Sequence, residues 1–444
     1  MEKITASMHT RADIQSSLSP FFTFPSIRVE YPKVVTEALT ILYREYNRAF
    51  ENLVDLNREH PEDYKYCISS EGCTNYIVQI DMQGLNHQHL KVLAGMSVQE
   101  VCKILRKRIF ELENSWAHYG PLAQICSNGV ESFYAQKTRV LLDSLRKKFN
   151  MPIALLAVTE QKYIAMRETE FGKFGSDPLS DEEVFRISGF NKFFGPEDFL
   201  RHINENGGCK YLLYCRTSDP IDKLKQPDMA VKHPLLEDPE IRRIIKAHSL
   251  TFNVDDPILP IGDVRRINDT KRYMATMDMA FPILSEKDLL SSGLVEHLEN
   301  GKPYSEFSGN RISVEFGQFL TSVGVDPDKV ASGEQTLRAK PIQGTFGCYG
   351  HLTGLLSDKR FRKMLRSNLR ERGPYIIQPE LEAPKVFNTD DEQEYAFIDR
   401  VFVGTVDGIP TWMGGHREFL ALTTTEAQNG RLHGNSDTVT AEIF

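Results

Sequence analysis

The stretch Lys340-Pro-Ile-Gln-Gly344-Thr-Phe-Gly347-Cys-Tyr-Gly350-His351 constrains this chain more than any other. Thr336 to Pro341 reads as a short strand with Lys340 at its end, and glycine then recurs at every third position. Lacking a Cβ, glycine lets the backbone approach a ligand closely and present its N–H groups, while the lysine supplies a countercharge. That design suits a polyphosphate. Taken alone, the stretch fits a glycine-rich hairpin beside an ordinary surface lysine equally well. It contains neither GxxxxGK[ST] nor GxGxxG, which excludes a Walker loop and a dinucleotide fingerprint.

The surroundings narrow the choice. A helix is expected over Asp358 to Leu369, followed by the strand Pro374-Tyr-Ile-Ile-Gln-Pro379 with Glu380 and Leu381 after it. A short apolar strand ending in polar residues can hold an adenine ring edgewise through its backbone while side chains cover the ring face. The basic helix residues Arg362, Arg366 and Arg370 suggest a solvated face rather than a nucleic-acid patch, because no stacking aromatics interleave them and the whole chain carries a net charge of −8. Nucleic-acid and membrane partners are not expected.

With 444 residues the chain exceeds the roughly 250 to 300 at which a single core stops growing. The seven cysteines form no CxxC pair, so neither a zinc site nor a disulfide framework is expected. No signal-peptide h-region follows Met1, and a cytoplasmic location is the expectation.

Residues 1 to 30 lack periodicity and read as an extended or fraying arm, followed by an amphipathic helix from Val34 to Leu56. Tyr64 to Ile68 and Tyr76 to Asp81 read as a β-hairpin that places Gln79 and Asp81 on one face. Helices are expected from Val98 to Leu112 and from Ser132 to Lys148, and buried strands at Pro152 to Thr159 and Tyr211 to Thr217. Asn268-Asp-Thr-Lys271 reads as the cap of a helix through Met274, Met277 and Ala280. Strands at Tyr395 to Val403 and Pro410 to Met413 surround an Asp407-Gly408 turn. The parse is α/β and α+β multidomain: a helical N-terminal region with a hairpin over 1–150, an α/β domain over 151–265, and a nucleotide-binding domain over 266–444.

The order of lysine strand, glycine loop, helix and hinge strand resembles the ATP-grasp superfamily, as in glutathione synthetase-like ligases. Ile398-Asp-Arg400, Gly414-Gly-His-Arg417 and Arg431-Leu-His-Gly-Asn435 look like the arginine strand, hairpin and asparagine turn of those ligases. The likeness is piecemeal over about residues 210 to 444. It implies Lys271 and Lys340 as phosphate-facing lysines, Gly344, Gly347 and Gly350 as the loop, and Gln378, Glu380 and Leu381 as the adenine hinge. Arg400 and Arg417 would then face the transferred phosphoryl group, where fixed guanidinium donors stabilise the charge spread over its oxygens. Each could instead be an ordinary salt-bridge residue.

ATP-grasp enzymes hold Mg2+ with an acidic residue and a Glu-x-Asn pair on their last strands, and this chain stops at Glu442-Ile-Phe444. In one arrangement Asn435, Asp437 and Glu442 form an abbreviated version. The other resembles the circularly permuted ATP-grasp group, with Gln79 and Asp81 standing where Glu-x-Asn is expected, and this is the order the segments favour. The activity implied is ATP-dependent joining of a carboxylate to an amine through an acyl phosphate, with ATP and Mg2+ as cofactors. Asn435 would contact substrate. Arg216 could bind the substrate carboxylate, or pair with Asp219. A homo-oligomer is allowed. A kinase or phosphotransferase, and an interaction protein on a decayed scaffold, are the rival classes.

Overall fold

The computed structural model describes residues 1–11, 21–59, 77–113, 132–157, 185, 189–216, 271–283, 285, 311–342, 352–355, 357–424 and 438–444. Its strands are β1 (Glu2–Ile4), β2 (His9–Arg11), β3 (Phe21–Val29), β4 (Ile77–Gln83), β5 (Ile109–Glu113), β6 (Ile153–Ala157), β7 (Lys192–Phe194), β8 (Leu212–Arg216), β9 (Phe281–Ile283), β10 (Thr336–Pro341), β11 (Leu352–Leu355), β12 (Tyr375–Pro379), β13 (Lys385–Asn388), β14 (Gln393–Val406), β15 (Ile409–Ala421) and β16 (Val439–Ile443). The helices are α1 (Lys33–Glu59), α2 (His87–Leu93), α3 (Val98–Arg108), α4 (Phe133–Phe149), α5 (Pro196–Asn206), α6 (Arg272–Thr276), α7 (Arg311–Ser322), α8 (Pro327–Ser332) and α9 (Lys359–Arg372).

The strands form three sheets. A nine-stranded sheet runs β1-β13-β14-β15-β16-β3-β2, with β4 paired to β14 and β5 paired to β4. A four-stranded antiparallel sheet runs β11-β10-β12-β9, and a parallel one runs β7-β6-β8. The architecture is thus mixed α/β with several sheets. Among the described residues no helix is long and apolar enough to cross a membrane.

α1 covers one face of the large sheet. Val35, Ala38, Leu39, Leu42, Tyr43, Tyr46 and Ala49 recur at helical spacing and are buried against Val78, Ile80, Met82, Val401 and Val403. α4 covers part of the opposite face, packing Tyr134, Leu141, Leu142 and Leu145 against Ile77, Phe402 and Met413. It begins at Ser132, whose hydroxyl accepts from the Ala135 N–H, and ends at Asn150 in the left-handed region. β14 and β15 turn back through Asp407 (φ 49°) and Gly408 (φ 81°), both positive as a two-residue hairpin of matching twist requires.

Several expectations are corrected. Residues 1 to 30 are not merely a surface arm: β1 pairs with β13 and β3 pairs with β16, burying Thr23 and Phe24. Strands from residues 2–113 and from 385–443 therefore share one sheet. The helix expected to reach Leu112 stops at Arg108, because Ile109 and Leu112 bury themselves as strand residues beside β4. The neighbours of β4 are β5 and β14, while the hairpin partner expected at 64–68 lies outside the described residues. α6 ends at Thr276, so the chain beyond it is free to enter β9 rather than continue as helix through Ala280. Lys271 caps α6 without a side-chain cap, and residues 268–270 are outside the described set, as is the boundary near 265. On α9 the basic face is not wholly solvated, since Arg362 is buried and donates to the Ser357 carbonyl at 2.7 Å.

Candidate functional site

β5 forms the junction between the large sheet and the four-stranded one. It pairs with β4 on one side, and the backbone groups on its other side must find partners. Side chains of the smaller sheet and α6 provide them. The Tyr273 hydroxyl accepts from the Leu112 N–H at 2.8 Å and donates to the Leu112 carbonyl at 2.5 Å. Lys340 Nζ donates to the Phe110 carbonyl at 2.7 Å, and Gln378 Nε2 donates to the carbonyls of Met279 at 2.9 Å and Ile109 at 3.3 Å.

This docking brings two lysines together. Lys340 comes from β10, and the Lys271 N–H donates to the carbonyl of Ile342, just past β10, at 2.7 Å. Both lysines are buried, and Lys271 Nζ is ion-paired with the Glu111 carboxylate. Burial pulls the Lys340 pKa down to about 8, against the opposing charge of Glu111. Lys340 is therefore a buried strand residue, not a surface lysine.

Glu111 begins a row of ionisable side chains that crosses the large sheet in register. It lies opposite Asp81, Asp81 opposite Arg400, Arg400 opposite His416, and His416 opposite Glu442. Cross-strand partners project from the same face of a sheet. Glu418, two residues from His416, joins them there. Gln79 Nε2 donates to Asp81 Oδ1 at 2.9 Å, and Arg400 lies between two carboxylates, 3.5 Å from Asp81 Oδ2 and 3.3 Å from Glu418 Oε1. His416 Nε2 is 3.1 Å from that same Glu418 oxygen.

The electrostatics follow from burial. Asp81 is pushed up to about 6, chiefly by desolvation, with Arg400 opposing and the charges of Glu111 and Glu418 adding to the rise. Desolvation also lowers the His416 pKa, despite Glu418 pulling the other way. Glu442 Oε1 accepts from the Phe133 N–H at the start of α4 at 2.9 Å, and Oε2 pairs with Arg28 at 3.1 Å.

Arg417 falls on the other face. Opposite Asp399 in the register, it grips that carboxylate with two hydrogen bonds, from Nε at 2.6 Å and Nη2 at 2.9 Å. Asp399 also accepts from the Tyr31 hydroxyl at 2.6 Å and the Leu85 N–H at 2.8 Å, beneath α1. Burial first, and then the Asp399 charge, hold the Tyr31 pKa well above its usual value, so the hydroxyl remains a donor. The side-chain alternation of a regular hairpin closed at Asp407-Gly408 would set Arg417 opposite Ile398, on the face of Arg400. A bulge between Phe402 and Val403 shifts the register by one residue and turns Arg417 to the opposite side. Gly414 makes the bulge feasible: its φ is +83°, and a Cβ there would lie 2.8 Å from the Ile443 carbonyl oxygen.

The remaining expected residues divide into two groups. Gln378 is committed to backbone carbonyls, Glu380 is ion-paired with Arg338, and Leu381 is half-buried just beyond β12. Gly344, Gly347, Gly350, Asn435 and Asp437 lie outside the described residues, as does the side chain of Arg216, whose backbone ends β8.

Glu111, Glu418 and His416 belong to the constellation but were not singled out by sequence. The alternation His416-x-Glu418 on a long strand was the available signal for two of them. Glu111 was masked by its place at the end of a helical pattern.

Asp81 and Glu111 offer carboxylate oxygens of the kind a hard divalent cation takes, while Glu418 is held against Arg400 and His416. Among the described residues no group of three or more His, Cys, Asp or Glu side chains could by itself hold a metal ion. Mg2+ does not require such a group, since it commonly takes one or two carboxylates and completes its shell with phosphate oxygens and water. No protein-family model matches the sequence, and no curated protein matches it.

Proposed function

We propose that this protein is an ATP-dependent ligase that joins a carboxylate to an amine through an acyl phosphate. The observation that carries the proposal is the convergence of Lys271, Lys340 and Arg400 with Asp81 and Glu111 at the junction of two sheets. Buried ionisable groups are costly unless paired, and a mixed cluster with a displaced Asp81 pKa supports reading the junction as a site for a charged ligand. Three cations beside carboxylates match the needs of a polyphosphate with its divalent metal. The pairing of β4 with β14, which sets Asp81 opposite Arg400, supports the permuted ATP-grasp order.

In the proposed reaction a substrate carboxylate oxygen attacks the γ-phosphorus of ATP, the bond to the β-phosphate oxygen breaks, and ADP leaves. The amine nitrogen then attacks the acyl carbon, phosphate departs and the nitrogen loses a proton. Lys271 and Lys340 offset the charge of the phosphates, and Arg400 faces the oxygens of the group in transfer. Gln79 and Glu418 keep the Asp81 carboxylate and Arg400 oriented. Asp81 and Glu111 are the residues that would hold Mg2+, which when bound neutralises phosphate charge and helps align the reacting oxygens.

Product analysis tests the reading. With a panel of carboxylates and amines, ATP consumption is expected to need one of each and to yield ADP, phosphate and an amide. A phosphorylated acceptor formed without an amine would identify a phosphotransferase instead.

A further inference from the structure

In this structure one strand already satisfies both phosphate-facing lysines. Lys271 is ion-paired with Glu111, and Lys340 donates to the carbonyl of the preceding residue, Phe110. The Lys271 side chain is 3% exposed and that of Glu111 21%, so the pair opens to solvent on the carboxylate side. A buried ammonium needs an opposite charge or an acceptor. Here β5 supplies what a polyphosphate would supply in a complex.

Glu111 has a second neighbour that matters. It faces Asp81 across the β4–β5 pair, and like charges directly opposite on adjacent strands repel. While Glu111 is paired with Lys271, that repulsion is offset. If the lysines turn to a polyphosphate, Glu111 loses its counter-charge beside Asp81, which Gln79 and Arg400 still hold, and a carboxylate so exposed to a like charge favours a divalent cation.

We propose that Glu111 is an internal counter-anion of the phosphate-facing lysines. It gives up Lys271 and turns to a divalent cation when the polyphosphate enters, so that nucleotide and cation each need the other for tight binding. This rests on the nucleotide site proposed above. The coupling is reciprocal, because the effect of the cation on nucleotide affinity equals that of the nucleotide on cation affinity.

Calorimetric titration of the full chain with ATP, in EDTA and in Mg2+, tests the proposal on wild type, Glu111→Gln and Glu111→Asp. Wild type is expected to bind ATP about tenfold or more tightly with Mg2+ than without it. Glu111→Gln should bind metal-free ATP about tenfold more tightly than wild type and lose most of the gain from Mg2+. Glu111→Asp keeps the charge with a shorter reach to Lys271 and should fall between them; it decides the matter if Glu111→Gln does not fold. Metal-free affinity equal to wild type in the variants that fold would overturn the inference and leave the nucleotide site standing. If wild type binds no ATP in either condition, the nucleotide site itself is wrong, and the inference falls with it.

Discussion

Two arginines of the same hairpin have different work to do. Arg417 is locked to Asp399 beneath α1, with its guanidinium also 4.2 Å from the centre of the Phe397 ring. Replacing it with methionine would strand a buried carboxylate, and Arg417→Met is expected to lose about 3–5 kcal/mol of stability in urea unfolding. Arg400→Lys keeps a positive charge between Asp81 and Glu418 but loses the guanidinium fork. It should stay folded while ATP turnover falls at least about a hundredfold. Equal effects of the two substitutions on stability would contradict this division. Lys340 adds a pH signature. Its pKa of about 8 should return toward the ordinary lysine value when phosphates replace water-poor surroundings, so nucleotide binding takes up a proton. Affinity should therefore be greatest below pH 8 and decline as pH rises through 8 and above, a trend readable by titration in buffers of different ionisation heat. A flat profile from pH 7 to 10 would argue that Lys340 does not meet the phosphates.

At the scale of elements, the β14–β15 hairpin decides which side chains share the site. Its bulge turns Arg417 away from Arg400 and leaves His416 facing Arg400, and Gly414 holds the positive φ that the bulge needs. Gly414→Ala would force an alanine into that conformation, and a loss of about 1–3 kcal/mol is expected in denaturant titration. A variant as stable as wild type would mean the bulge tolerates a Cβ. The same hairpin shows how far the sequence could be read. The turn at Asp407-Gly408, β14, the β10 lysine strand, α9 and β12 were legible, because turn chemistry and local periodicity specify them, whereas β15 was legible only from Pro410 to Met413 and runs on to Ala421. The bulge was not, since it depends on β16 and α4 packing against Gly414, contacts remote in sequence. β5 and β3 escaped for a related reason. Short strands take their identity from the neighbours they pair with, and Ile109 to Glu113 continues the apolar spacing of α3 closely enough to pass for helix.

Across the whole molecule, the chain ends and the middle meet at one place. Strands from residues 2–113 and 385–443 build the large sheet, while the four-stranded sheet brings Lys340, with Lys271 tied beside it, to the edge at β5. The carboxylates and the lysines thus come from segments far apart in sequence. Their meeting is a property of the tertiary fold, which is why Glu111 could not be read from its own surroundings. The proposed function requires this junction to bind a nucleotide polyphosphate. The decisive measurement is a titration of MgATP into wild type and Lys340→Met, with unfolding curves to verify that both are folded. Saturable binding at one site per chain is expected in wild type and its loss in the variant; absence of binding in wild type, or undiminished affinity in folded Lys340→Met, would overturn the nucleotide site.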